Sequence, residues 1–236
     1  MKYIKDNSGV LDADSGEDAV SATALHKARI QELENDILSL PAGHNPVDKA
    51  ELQIQQAALM VDLEEKAEAF ALAREAFDTF KEAEAWEGLA QACNIMFMAD
   101  QADSLAALGQ GIWVAVTFPE VDPELTVALL QHVVDETPPD SDGGALAAAV
   151  AHYIADMRTE GKQHDSLTFF TNQQLASVAR RHSNVESQEQ FEFWFKKLEL
   201  DDPEKFLVRM RNVIDVMVQE DWWIDRDAIW EKLAAH

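Results

Sequence analysis

Lysine and arginine are missing between Lys81 and Arg158, a stretch that carries 13 acidic residues from Glu82 to Asp156. Phosphate backbones are bound through basic side chains that release condensed counterions, so this stretch argues against nucleic acid as a direct ligand. Cysteine is nearly absent as well. Cys93 stands alone, which excludes an intrachain disulfide and a cysteine-built zinc or iron–sulfur site, and a reducing cytoplasm is the expected setting. Long apolar runs are lacking: the longest, 145–151, is far too short to span a bilayer, and residues 1–6 hold no stretch of signal-peptide length. A soluble, unexported chain with no membrane contact is expected.

What is present is acid. The formal net charge is −25 over 236 residues, and it is uneven. Residues 1–160 hold 9 basic and 30 acidic side chains, whereas 161–236 hold 10 and 14. An acidic body keeps a protein soluble and repels anionic membranes and nucleic acids. Hydrophobic residues at 47% and charged residues at 27% place the bulk of the chain among folded proteins.

Residues 1–20 mix glycine, serine and asparagine with five acids and few apolar side chains, so a disordered acidic tail is expected there. Asp12, Asp14 and Gly16 outline a calcium loop only faintly, since the remaining ligands are missing. Ile30, Leu33, Ile37 and Leu40 then recur at heptad-like spacing, predicting an amphipathic helix over 23–40 that packs on the next helix or on a second copy. Asp48 is placed to cap a helix from Lys49 with Leu52, Leu59 and Leu63 inward. Further helices are predicted over 64–80, 84–98, 102–117, 123–136 and 144–159, with proline and glycine punctuation at Pro119, at Pro123 and in the 138–144 loop. β-Branched and aromatic residues nowhere alternate with polar ones, and alanine-, leucine- and glutamate-rich segments favour helix. The fold class is all-α: stacked antiparallel helix hairpins over 21–160, followed by a smaller C-terminal helical domain over 161–236.

Ala57, Ala69 and Ala76, then Trp86, Leu89, Ala90, Cys93 and Ala102, follow spacings that let antiparallel helices approach closely. This series resembles the tetratricopeptide repeat over about 48–118, and loosely to 160. The chain departs from that pattern at Ala73 and Ala106, where an aromatic residue is usual, at Gly109, and at Lys81, where the terminal proline is absent. The resemblance implies that the first helix of each pair lines a concave surface, so that Glu84, Glu87, Gln91 and Asn94 face a partner. Carboxylate-gripping members of that family carry basic residues there. This chain has acids and amides, which on electrostatics suits a basic or apolar partner segment.

After residue 160 phenylalanine, tryptophan and arginine become frequent. Short helices are predicted over 172–182, 187–198, 203–218 and 225–235, capped by Thr171, by Asn184 or Ser187, by Asp202 and by Asp225. Phe191, Trp194, Phe195 and Leu198 form one inner stripe, and Phe206, Met210, Val213 and Met217 another; either is core or a peptide-binding groove. Trp222 and Trp223 are adjacent, so they cannot both face one interior, and one covers a joint or anchors a partner. Arg180, Arg181 and His182, with Lys196, Lys197, Arg209 and Arg211, make a basic spot suited to helix C-termini or to the acidic body.

Chemistry has no candidate residues. The seven histidines lack helical zinc spacing, though His132 and His152 could meet across a hairpin, and no nucleophile elbow or phosphate loop occurs. No catalytic residue, metal or cofactor is expected. The expected function is a non-enzymatic, cytoplasmic protein-protein interaction module, an adaptor or accessory chaperone for a basic or apolar segment. The alternative is an acidic nucleic-acid mimic that inhibits a DNA- or RNA-binding protein. Oligomeric state is left open.

Overall fold

Helix-forming residues dominate a chain whose loops are short, and helices joined by those loops make up most of the described residues. The structure, a computed structural model, describes residues 2–4 and 16–235. Most of the tail read over 1–20, including Asp12 and Asp14, lies outside the described residues. Eleven helices follow in order among the described residues: α1 Gly16–Leu38, α2 Pro46–Asp62, α3 Lys66–Glu82, α4 Trp86–Met98, α5 Ser104–Thr117, α6 Pro123–Glu136, α7 Asp142–Arg158, α8 Gly161–Ser183, α9 Gln188–Lys197, α10 Pro203–Val218 and α11 Arg226–Ala234. No strand is present among them. Consecutive helices pack as antiparallel hairpins, the all-α stack expected from the pattern.

The chain condenses into two compact units, each drawing on separated parts of the sequence. One holds residues 1–7 and 112–216, the other 8–111 and 217–236.

In the second unit α1 packs on α2, α2 on α3 and α3 on α4, and α2 also meets α4. Alanine makes this possible. Ala57, Ala69, Ala73, Ala76 and Ala90 are fully buried, and Phe77, Phe80, Leu89 and Met96 fill the space that their small side chains leave. At Gly88 a Cβ would lie 2.5 Å from the Phe80 ring, so α3 and α4 cross there at a distance only glycine allows. The helix cap falls at Asn45, which accepts the Val47 N–H with Pro46 in the first turn, rather than at Asp48. The inner stripe of α2 is Ala50, Gln53, Ile54 and Ala57, with Leu52, Leu59 and Leu63 half-buried beside it.

The hairpin turns share one device. α2 and α3 each end in a residue with left-handed backbone, Glu64 at φ 61° and Glu84 at φ 54°. After them, Glu65 N–H reaches Met60 O and Ala85 N–H reaches Phe80 O, which satisfies the last carbonyls of each helix. α4 ends similarly at Asp100, but there the Ser104 hydroxyl accepts the Gln101 N–H and donates to Met96 O at 2.6 Å.

In the first unit α6 packs on α7, α7 on α8 and α8 on α9. α8 is one helix of 23 residues, where the sequence suggested a shorter helix capped by Thr171. Thr171 is buried inside it and donates to Leu167 O, and Thr168 donates to His164 O, so hydroxyls that would cap a turn instead continue the helix. Ser187, Asp202 and Asp225 cap α9, α10 and α11, while Asn184, at φ 52°, closes α8. On α10 the buried positions are Phe206, Met210, Ile214 and Val218, a stripe turned by one residue at Val213 and Met217. Residues 2–4 dock on α6: Glu124 accepts the N–H groups of Tyr3 and Ile4, and Ile4 is buried.

Candidate protein-interaction surface

α4 buries Leu89, Ala90, Ala92, Cys93, Ile95 and Met96, which leaves a narrow half-buried stripe. Glu87, Gln91 and Asn94 stand on it at i, i+4 and i+7, on one face of the helix. The Gln91 amide donates to the Glu87 carboxylate at 3.1 Å, so the stripe is an ordered polar row. Glu84 sits just ahead, exposed, on the left-handed turn into α4, with its carboxylate in an ion pair with Lys232 of α11.

The two tryptophans have separate surroundings. The indole ring of Trp223 meets the edge of Phe77 at 5.5 Å, with the Arg74 guanidinium over it at 4.3 Å. The backbone N–H of Trp223 donates to Gln110 Oε1 at 2.8 Å, and its backbone carbonyl accepts from Lys81 Nζ at 3.4 Å. Trp222 lies under the Arg226 guanidinium at 3.6 Å. Both side chains are half-buried, so neither is wholly core nor wholly surface.

Between α11 and the α3–α4 turn runs a groove of about 340 Å³. Trp86, Trp223, Ile224 and Ile229 give it apolar walls, and Glu84 and Asp225 put carboxylates at its lip. Of the six residues singled out in the sequence, Glu84 and Trp223 line this groove. Glu87, Gln91 and Asn94 share α4, whose first residue, Trp86, lies in it. Lys232 and Ile229 carried no signal of this role, because the pairing with Glu84 spans most of the chain.

Two carboxylates of α3 are held by cations of the same unit. Glu75 is kept below the usual carboxylate range by the Gln53 amide and by Lys49, and Asp78 is lowered by Lys81 and Arg74 against the opposing effect of burial. Burial raises the Cys93 thiol far above its ordinary value, which keeps it protonated and inert.

The basic spot and the aromatic helices fall in the first unit, where much of the positive charge meets internal partners. Arg181 donates to Val134 O and Arg209 to Leu198 O, each at the end of a helix, and His182 lies 3.2 Å from Asp142. The Trp194 indole N–H donates to His182 Nδ1 at 3.2 Å, and Trp194 is 3% exposed, so it is core. Phe193, on the other side of α9, is 70% exposed. His152 lies 2.9 Å from the Thr171 hydroxyl, while burial lowers His132 to about 4. Among the described residues no three histidine, cysteine or acidic side chains are placed to hold a metal ion.

Compared with protein-family models, with curated proteins and with solved structures, the chain matches none.

Proposed function

We propose that the chain is a protein-protein interaction module of tetratricopeptide-like design, an adaptor or accessory chaperone of the cytoplasm that binds without catalysis. The site is the face made by Glu84, Glu87, Gln91 and Asn94 with the groove beside Trp223. The observation that carries the reading is the juxtaposition at Glu84: a carboxylate at the mouth of an apolar groove, already holding a lysine that follows an isoleucine by three positions. A partner segment with basic and apolar side chains finds both halves of its surface complemented there.

A nucleic-acid mimic needs carboxylates in phosphate-like rows facing solvent. Glu75, Asp78 and Glu84 instead engage Lys49, Arg74, Lys81 and Lys232, which favours the adaptor reading.

The test uses a labelled amphipathic peptide of lysine and leucine and its glutamate-for-lysine counterpart. The basic peptide binds, and its affinity falls about tenfold or more between about 0.05 M and about 0.5 M salt as screening shortens. The double substitution Glu84→Lys with Glu87→Lys weakens it by a similar factor. Equal binding of the acidic counterpart would remove the reading.

A further inference from the structure

α11 is bound to its unit in an unequal way. The segment that leads into it is pinned: Trp223 is fixed by Phe77, Arg74, Gln110 and Lys81, and Ile224 is 3% exposed. The helix itself buries no residue; Trp230 is 52% and Leu233 43% exposed. Nine residues make a helix too short to persist in water without tertiary support. That support comes from the α3–α4 turn across the groove, of which Ala228, Ile229 and Lys232 form one wall, and from the Lys232–Glu84 pair, whose side chains are 65% and 52% exposed. Exposed pairs of this kind hold weakly. The three residues stand at i, i+1 and i+4, on one helical face.

We propose that α11 is a displaceable wall of the interaction groove, covering the face made by Lys81, Glu84, Trp86 and Trp223, and that a partner helix with an apolar residue three or four positions before a lysine takes its place. This rests on the reading of that groove as the partner site and adds the partner's conformation and a resident competitor. Displacement leaves Trp223 in place and swings α11 out about residues 224 and 225. A tethered segment acts as a ligand at an effective concentration of roughly millimolar, so a cis-docked population favoured about tenfold to a hundredfold weakens any competitor by that same factor. Free α11 peptide then binds the uncovered face at roughly tens of micromolar.

Two measurements on the full chain test this. Hydrogen exchange is followed in the wild type, in Lys232→Glu, in Glu84→Lys and in the double exchange of both charges. Each single substitution speeds exchange of the 229–234 amides about tenfold while α3 and α4 stay protected, and the double exchange restores the slow rate. An acetylated peptide spelling residues 225–235 is then titrated. It binds the Lys232→Glu chain about tenfold more tightly than the wild type, and the chain carrying Glu84→Lys weakly or not at all. Unchanged exchange in the single variants, no restoration in the double, or equal peptide affinity for wild type and Lys232→Glu overturns the proposal. If the lysine–leucine peptide of the preceding section still binds in that case, the groove remains a partner site and only the internal competitor is lost.

Discussion

Glu64 pays a conformational cost that glycine would avoid. At φ 61° its Cβ crowds the backbone, and at 78% exposure its side chain gains only a surface pair with Lys66 at 3.4 Å. Left-handed backbone disfavours a non-glycine residue by roughly 1–2 kcal/mol, while glycine gives back about half of that through its freer unfolded chain. Glu64→Gly is therefore expected to stabilise the protein by about 0.5–1 kcal/mol and raise the melting temperature by a few degrees, read by calorimetry. An unchanged or lower melting temperature would refute the strain argument.

Arg158 shows how one element is closed by another. It ends α7 and donates to the carbonyls of Ala115, Val116 and Phe118 at 2.8, 2.6 and 3.4 Å, at the end of α5. Burial makes its charged form less favourable than usual, an effect opposed by the Glu120 carboxylate and by the negative end of the α5 dipole. Arg158→Met keeps the stem and strips the carbonyls of their donors. It is expected to cost about 2–4 kcal/mol in urea unfolding, with Arg158→Lys intermediate because an ammonium cannot reproduce the planar fork. A loss below about 0.5 kcal/mol for Met would mean that water takes over the capping.

The helices themselves were legible, because periodic apolar residues and proline at first turns are local signals. The all-α class and the N-caps at Ser187, Asp202 and Asp225 in the C-terminal part are likewise local signals. The breaks near Glu64 and Glu84 were legible but their left-handed backbone was not, since no glycine marks them, and α8 ran through a polar stretch because Thr168 and Thr171 bond backward along it. Glu84, Glu87, Gln91 and Asn94 were named only through the repeat resemblance. The groove of the candidate site was hidden, because Trp223 meets Phe77 and Lys232 meets Glu84 across most of the sequence.

At the scale of the molecule, acid acts on stability through His132. Desolvation lowers its pKa to about 4, against an ordinary value of 6.5. The unfolded chain therefore binds the proton first as pH falls. The stability that neutral His132 permits is complete above about pH 6.5 and declines between there and about pH 4, by up to roughly 3 kcal/mol. Glu75 and Asp78, whose folded values are lowered, add their own losses below the ordinary carboxylate range. Urea midpoints for wild type and His132→Gln, taken through that window, should converge as pH falls. Parallel curves would show that the imidazole is not the cause.

The two compact units interleave along the chain, and this fixes an order of events during synthesis. Phe77 and Arg74 leave the ribosome well before Trp223, with residues 112–216 of the other unit translated in between. The nascent α3–α4 hairpin thus waits, its aromatic edge uncovered, until the ring that caps it has been made. That interval is when a ribosome-associated factor could find it open.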